Sequence, residues 1–527
     1  MLLLRFIKLS FFIFICSATA FSQNLTIEES EPLKEEPTDG WLKLFQFSNG
    51  NTALIHITEK DGMQLWVYDS SRKLKLNKPL NPQFHTKGNL SIKKGASIEA
   101  AFSIGSDLVL FIEMIYTRAP ILYRVIINTD NGAIKEENEV ARLDKYSAFA
   151  GYAMAYGNVP QPKFYIRKDE HSDNYAVALF NSFVSDRNKR IKLIHYGSDH
   201  QIINSAFYHS PNEEFKYLDL IDMVVLGDKK VIACANGFNT NKSDEGTVLF
   251  ASLEKGDSYV NVKKLQFTEN QYFTSGMLRY NKKENLVVML ALKQSGSAYT
   301  PKLIFFDADT YSTVFYKDVS TPNVDFEHSE IFGKDKKFNA LPQIIYINDD
   351  GTYTMVFEEI TIYTSSNGSS STTLGSMVVS ILDRQAKVLH NTLIPKSHFI
   401  VGYYPALYPA NRNIEVVRLI HSNQYKSFSY ACGQEGKYIF FNDIIENLEN
   451  IKKGKLTRIA GIGETDAFVC EVNSRQRGLL YGQPEKKTHN FAAFRISDYN
   501  KESGYFTTLK LENSRDKKAT ITWIKLK

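Results

Sequence analysis

From Trp41 to Lys527 the hydrophobic and polar positions follow a β pattern. Runs of Val, Ile, Phe, Tyr and Thr alternate with short polar turns, and long helical periodicity is missing. Only Ile444 to Ile451 predicts a turn or two of helix. One tight polar turn recurs before a strongly apolar strand. It is Ser48-Asn-Gly-Asn before Ala53-Leu-Ile, Gly105-Ser-Asp before Leu108-Val-Leu-Phe, and Ser172-Asp-Asn before Ala176-Val-Ala-Leu-Phe. It returns as Gly227-Asp-Lys, Lys283-Glu-Asn, Asn348-Asp-Asp-Gly, Asn411-Arg-Asn and Gly463-Glu-Thr, eight occurrences in all. Gly, Asn and Asp suit such turns because they accept positive φ at little cost.

A second corner follows most of these after another strand. An apolar strand ends in a polar corner and a short amphipathic strand returns. Examples are Leu65-Trp-Val-Tyr-Asp-Ser-Ser-Arg-Lys-Leu, Val125-Ile-Ile-Asn-Thr-Asp-Asn-Gly-Ala-Ile, Leu303-Ile-Phe-Phe-Asp-Ala-Asp-Thr and Val379-Ser-Ile-Leu-Asp-Arg-Gln-Ala-Lys-Val-Leu, with Phe494-Arg-Ile-Ser-Asp closing the series. Each unit therefore reads as about four strands joined by hairpins. One such unit cannot bury both faces, so the units must stack.

Stacked four-stranded units resemble a β-propeller, and the resemblance covers residues 41–527. It is architectural. The chain lacks the Gly-His…Trp-Asp signature of WD repeats, the kelch double glycine and the Asp-box, and is most similar to uncharacterised exported bacterial propeller-like proteins. Eight blades would take about 61 residues each. Seven blades with an irregular insertion, or tandem β-sandwich domains, are the alternatives. The terminal strand Thr520-Ile-Thr-Trp-Ile-Lys-Leu and the first, Trp41-Leu-Lys-Leu-Phe, are expected to close the ring in one blade and so hide two sheet edges.

The first residues change the picture of where the chain works. Arg5 and Lys8 precede an apolar run, Leu9 to Ile15, and Ala18-Thr19-Ala20 is an A-x-A cleavage pattern. Residues 1–22 read as a signal peptide, which places the protein in the periplasm or outside the cell, with cell-surface association an option. Residues 23–40 read as an acidic flexible linker, because six carboxylates and two prolines crowd a segment with little apolar content. Residues 41–527 form the single propeller domain. No later stretch is apolar enough to span a bilayer. The formal charge of +5 falls to +3 without Arg5 and Lys8, and no clustered basic stripe suggests nucleic acid. Cys234, Cys432 and Cys470 remain beyond the leader, an odd number that cannot make a complete disulfide framework.

Candidate chemistry is sparse. No HExxH, GxSxG, Walker loop, CxxC or dinucleotide fingerprint occurs, so no catalytic residue, metal ligand or cofactor is assigned. Two aromatic loops stand out: Val401-Gly-Tyr-Tyr-Pro-Ala-Leu-Tyr-Pro, with Tyr403, Tyr404 and Tyr408, and Gly151-Tyr-Ala-Met-Ala-Tyr-Gly, with Tyr152 and Tyr156. Exposed tyrosines on a stiff backbone suit glycan or peptide surfaces, and the same residues could equally pack between blades. The loops Lys168–Asn174 and Asn239–Gly246 are oxygen-rich but lack calcium-ligand spacing. His195 and His200 flank a corner. Asp325 and Glu327 would share a face if their segment is a strand, an arrangement that invites comparison with a glycosidase pair. Ser365 to Ser376 reads as a flexible loop that lengthens a hairpin and invites proteolysis.

These features point to an exported, non-enzymatic binding or scaffolding propeller that holds a glycan, peptide or protein through its loop face. The alternatives are a carbohydrate-active hydrolase or lyase with its site at the central channel, and a structural component of a cell-envelope assembly.

Overall fold

The structure, a computed structural model, describes residues 25–83, 96–145, 147, 151–154, 159–209, 214–240, 246–267, 273–295, 298–333, 337–402, 416–420, 422–475, 477–484, 488–514 and 517–527. Eight antiparallel sheets follow one another along the chain. Blades 1 to 7 start at the innermost strands Trp41–Gln46, Ala96–Ile104, Lys163–Lys168, Tyr217–Leu226, Phe273–Asn281, Leu341–Ile347 and Ser429–Cys432. Blade 8 starts at His489–Ala492 and resumes alongside the same neighbour at Asp498–Asn500, its inner strand being broken by the 3-10 turn Phe494–Ile496. The chain is an eight-bladed β-propeller.

The apolar runs are nearly continuous because both faces of each blade are buried. In the second strand of blade 2, Leu108, Leu110, Ile112 and Met114 pack toward blade 1 while Val109 and Phe111 pack toward blade 3. Outermost strands have only one covered face and alternate accordingly. Ala133–Arg142 reads Ala-Ile-Lys-Glu-Glu-Asn-Glu-Val-Ala-Arg, and its charges guard an open edge.

The ring is closed by its two ends, with a correction to the strand that does it. Thr26–Glu29, not Trp41–Phe45, pairs antiparallel with Lys518–Lys525 and becomes the outermost strand of blade 8. The segment expected as a free acidic tether is therefore built in from Leu25 onward. Leu33 donates its N–H to the Ala519 carbonyl, Glu29 pairs with Lys510, Tyr425 donates to Glu36, and Glu28 pairs with Arg72 at 2.8 Å. The Arg72 guanidinium lies over both Tyr505 and Trp523. Trp523 is fully buried and donates its indole N–H to Thr52 of blade 1 at 2.8 Å.

Six of the eight expected turns do join the first and second strands of a blade. The other two do not. Residues 411–415 lie outside the described residues, and Val417–Arg418 just beyond adds a strand to blade 1 beside Trp41–Leu42. Gly463-Glu-Thr leads into the third strand of blade 7. The corresponding turns are Gly433–Gly436 in blade 7 and the one between Asn500 and Tyr505 in blade 8. The Phe494 segment is likewise the break in the inner strand of blade 8 rather than an outer corner.

The inner wall is pinned by polar side chains that cross from blade to blade. Arg167 of blade 3 pairs with Asp222 of blade 4 at 2.5 Å, and Asp222 also accepts the Leu278 N–H of blade 5. Arg279 of blade 5 donates to the Ile345 carbonyl of blade 6 and pairs with Glu170. Asn442 of blade 7 donates to the Ala492 carbonyl of blade 8. His195 and His200 also make contacts between blades, and they point apart. His195 Nε2 meets the Gly227 carbonyl of blade 4, and His200 lies 3.5 Å from Asp107 of blade 2. The carboxylate of Asp169, in the oxygen-rich loop of blade 3, accepts from His171 N–H, the Ser172 hydroxyl and the Gly227 N–H of blade 4.

Because Trp523 carries the contact between first and last blades, Trp523→Ala should cost about 3–5 kcal/mol in a urea melt. Trp523→Phe, which loses the Thr52 bond but keeps a buried ring, should cost markedly less. Equal losses for the two would show that the hydrogen bond, rather than the packing, holds the seam.

Candidate functional site

Strand direction divides the ring into two faces. The turns between first and second strands, and between third and fourth, share one face and are mostly tight. The longer connections between blades lie on the other, with the loops between second and third strands. A cavity of about 950 Å³ opens on this loop face between blades 6 and 7. Its walls come from four separate stretches: the helix Val324–Phe332 and the chain after it, the hairpin of blade 6, Lys396–Ser397, and residues 450–457.

The hairpin of blade 6 is unusually long. Tyr353–Thr364 and Ser370–Leu382 pair through a tight turn, Ser365–Ser369, and run on beyond the reach of the inner strand. Ser370 to Ser376, expected as loop, is strand. Its Ser and Thr residues alternate across a ladder whose backbone groups are paired, which composition alone does not disclose. The strand His398–Val401 adds to Ser371–Leu374, and the far side of that strand is covered in turn by Ile459.

At the foot of this extension Gly375 and Ser376 oppose the single residue Glu359, a β-bulge. A side chain at Gly375 would meet Glu359 Cβ at 2.9 Å, so the bulge needs glycine there. The bulge turns Glu359 toward the cavity. Its carboxylate accepts N–H bonds from Ser376 at 3.1 Å and Asn339 at 3.3 Å, and lies 3.6 Å from His328 Nε2. Glu358, one residue earlier, turns into blade 7. It pairs with Lys396 at 2.6 Å, with both side chains essentially inaccessible, and accepts a bond from the Ser427 hydroxyl.

The polar network continues inward. His398 accepts the Ser427 N–H at Nδ1 and donates from Nε2 to the Asn442 carbonyl, which fixes the neutral tautomer. Burial, reinforced by the nearby Lys396 charge, holds its pKa well below the usual imidazole range. Lys426 donates to the carbonyls of Phe399 and Ala460, and burial lowers its pKa. These groups therefore hold the extension to blade 7 and are consumed in doing so. At the rim, Lys337 and Lys455 are exposed and face the cavity with no ion-pair partner among the described residues.

A second feature sits in blade 2. Glu113, on its second strand, is buried, and burial first, then the neighbouring Glu99 carboxylate of the innermost strand, push its pKa up to about 7 against the pull of Lys163. Such a carboxyl can exchange protons near neutrality.

Of the residues singled out in sequence, Tyr152 is exposed in the single helical turn 151–154. Tyr156, Tyr403, Tyr404 and Tyr408 lie outside the described residues. The connections that carry them start four blades apart, after blades 2 and 6. Asp325 and Glu327 are on a helix, not a strand, so they do not share a face. Asp325 accepts the Phe338 N–H and Glu327 meets Arg475 at 3.4 Å. Sequence reasoning missed Glu358, Glu359, His328 and Lys396. Two adjacent carboxylates inside an otherwise apolar strand were the available signal; Lys396 had none.

No protein-family model matches the chain, and no curated protein matches it in sequence. Among solved structures, a prolyl endopeptidase aligns over 91% of this chain at 11% identity and a TM-score of 0.40; the chain spans 55% of that protein's length. The WD40 domain of SCAP from fission yeast aligns over 95% of this chain and 98% of its own at 9% identity, TM-score 0.37. The β-propeller domain of the trilobed protease from Pyrococcus furiosus aligns over 82% and 96% at 10% identity, TM-score 0.32. Likeness this distant says nothing of substrate or partner, and the architecture rests on the strand pairing itself.

Two predictions test the site. Replacing Lys396 by Met, or Glu358 by Leu, strands a buried charge and should cost about 3–5 kcal/mol in a denaturant melt. The double replacement Glu358→Leu with Lys396→Met should cost far less than the sum. Additive losses would deny the coupling. For Glu113 the sign follows from its raised folded-state pKa. Its contribution is full below the unfolded value of about 4.3 and is lost as pH climbs through about 7. The stability difference between pH 4 and pH 8 should therefore shrink in Glu113→Gln, by on the order of 3 kcal/mol. An unchanged pH profile would place Glu113 in water.

Proposed function

We propose that the protein is an exported binding propeller that holds a peptide, glycan or protein partner on its loop face, at the cavity between blades 6 and 7. The observation that carries this reading is the cavity itself. It is built from four separate chain stretches over a polar floor already fixed by internal bonds, and Lys337 and Lys455, without an ion-pair partner among the described residues, stand at its rim. A floor whose donors and acceptors are satisfied offers shape and charge for recognition and few groups for chemistry. Export is supported by Arg5, Lys8, the apolar run Leu9 to Ile15 and Ala18-Thr19-Ala20.

A thermal-shift panel of glycans, peptides and divalent metals tests it. A ligand at one hundred times its dissociation constant adds about 2.7 kcal/mol to stability and must raise the melting temperature. Thr361→Trp, which fills the cavity from an exposed position, should abolish that shift while leaving the unliganded melt unchanged. A shift that survives in Thr361→Trp would move the site elsewhere.

One observation favours a second reading, a carbohydrate-active hydrolase or lyase at the central channel. Glu113, on the second strand of blade 2, has its pKa raised to about 7 by burial and by Glu99 of the innermost strand, the character a general acid needs. Turnover of a polysaccharide panel that vanishes in Glu113→Gln would establish it.

A further inference from the structure

We infer that the loop-face site captures an extended acidic peptide, which adds as a β-strand to the open edge Ile360–Thr364 of the blade 6 hairpin; this deepens the binding reading above and rests on it. The edge is open because the hairpin outruns its neighbour. The inner strand Leu341–Ile347 pairs with Tyr353–Thr364 only as far as Leu341 opposite Glu358. From Ala340 back to Lys337 the chain turns aside, and Asn339 bonds to the Glu359 side chain instead of continuing the ladder. Among the described residues no strand pairs with the outer side of Ile360–Thr364. The extension's other side is closed, by His398–Val401 and then Ile459.

The direction of the free backbone groups follows from the turn. Ser365 donates its N–H to the Ser369 carbonyl, so that pair is hydrogen-bonded. Hydrogen-bonded and non-hydrogen-bonded pairs alternate along an antiparallel ladder, so Tyr363 and Thr361 bond inward to Ser371 and Thr373. Ile360, Ile362 and Thr364 therefore aim their N–H and C=O groups away from the hairpin, as Ser370 opposite does in accepting the Gly402 N–H on the far side. An added strand would take these groups and lie along the line that the inner strand leaves.

The composition of this edge sets it apart from the outer edges of blades 1, 2, 4 and 5. The outermost strands of blade 3, Ile202–Phe207, and blade 6, Val388–Ile394, carry no charged residue but histidine and no proline, whereas four others carry charge or proline: Lys75, Lys78 and Pro79 in blade 1, the run Lys135 to Glu139 in blade 2, Lys263 and Lys264 in blade 4, Lys317 and Asp318 in blade 5. Those devices deter pairing. Ile360-Thr-Ile-Tyr-Thr has none, and Tyr363 is 67% exposed on it. β-Branched and aromatic residues on an unguarded edge are the composition that accepts an incoming strand.

Charge selects the occupant. The cavity beside the edge is lined by Ile360 and Thr361 from the hairpin, and by Lys337 and Lys455 at the rim. Among the described residues its one lining carboxylate, Glu359, is bound by two N–H groups and His328, and the Lys396 charge is met by Glu358. The uncompensated charge is thus positive. Alternate side chains of an added strand point to one face, so carboxylates at every second position would meet Lys337 and Lys455 together.

The test uses the full protein and two synthetic peptides, Ac-Thr-Glu-Val-Glu-Val-Glu-Thr-amide and its Lys-for-Glu counterpart, with binding read by isothermal titration calorimetry. The acidic peptide should bind at least tenfold more tightly than the basic one, and the preference should fade with added salt. Ile362→Pro removes an outward N–H while sparing the inward bonds of its neighbours, and should weaken binding at least tenfold with the melting temperature retained. Lys337→Glu with Lys455→Glu should reverse the peptide preference and leave the edge intact, which separates charge from strand pairing. Equal binding of the two peptides, or binding unaffected by Ile362→Pro, overturns strand addition. If neither peptide binds while a glycan gives a melting shift that Thr361→Trp removes, strand addition fails and the binding reading stands. If nothing in either experiment responds to Thr361→Trp or Ile362→Pro, both fail.

Discussion

Closure of the ring is the constraint on which the rest depends. Eight blades placed side by side have two bare flanks, and each flank is a sheet face rich in apolar side chains. The four residues Thr26–Glu29 complete blade 8, and Trp523, Arg72 and Thr52 knit blade 8 to blade 1. Glu28 then satisfies Arg72 and the Tyr505 hydroxyl at the same place. Apolar packing, a cation over two aromatic rings and a backbone ladder thus converge on one seam. At every other junction the chain passes from the last strand of a complete blade to the next; here the link is a single strand, Thr26–Glu29, that must pair with the end of the chain before blade 8 is complete.

The inner wall shows how a fold of repeated sheets keeps its units in register without a repeated sequence motif. Junctions around it use different polar pairs. Arg167 meets Asp222, Arg279 meets the Ile345 carbonyl, and Asn442 meets the Ala492 carbonyl. A buried polar group left unpaired costs more than the pair contributes, so each of these contacts penalises a slipped arrangement more than it rewards the correct one. Irregularity is tolerated under this scheme. The broken inner strand of blade 8 and the overlong hairpin of blade 6 both persist because their neighbours are fixed by other means.

Much of the architecture was legible in the sequence because turn chemistry and apolar runs are local. Gly105-Ser-Asp and Asn348-Asp-Asp-Gly announce their turns without help from the rest of the chain. The misassigned turns at Asn411 and Gly463 have the right residues but the wrong neighbours, and the count of eight held because Gly433–Gly436 and the turn after Asn500 took their places. The closing strand was hidden by its own charge. Glu28 and Glu29 make residues 23–40 look solvated, yet both carboxylates meet cations brought from distant parts of the chain. The candidate site was the least legible. Glu359, His328 and Lys396 come from separate stretches, and nothing local relates them. The tyrosines stand out in sequence by composition alone, and only Tyr152 of the five falls within the described residues.

The seam also sets the order in which the molecule can be assembled. Ser30 accepts a bond from Ile521 across 491 positions of sequence, whereas most ladders link strands adjacent in the chain. Blades can collapse one after another as they leave the ribosome or a membrane pore, each from local hairpins. The segment that emerged first has to wait for the last blade. Contacts that span nearly the whole chain slow folding far more than they weaken the folded state. For all that time Thr26–Glu29 must stay unpaired and soluble, and the acidic character that disguised it as a linker is suited to that wait.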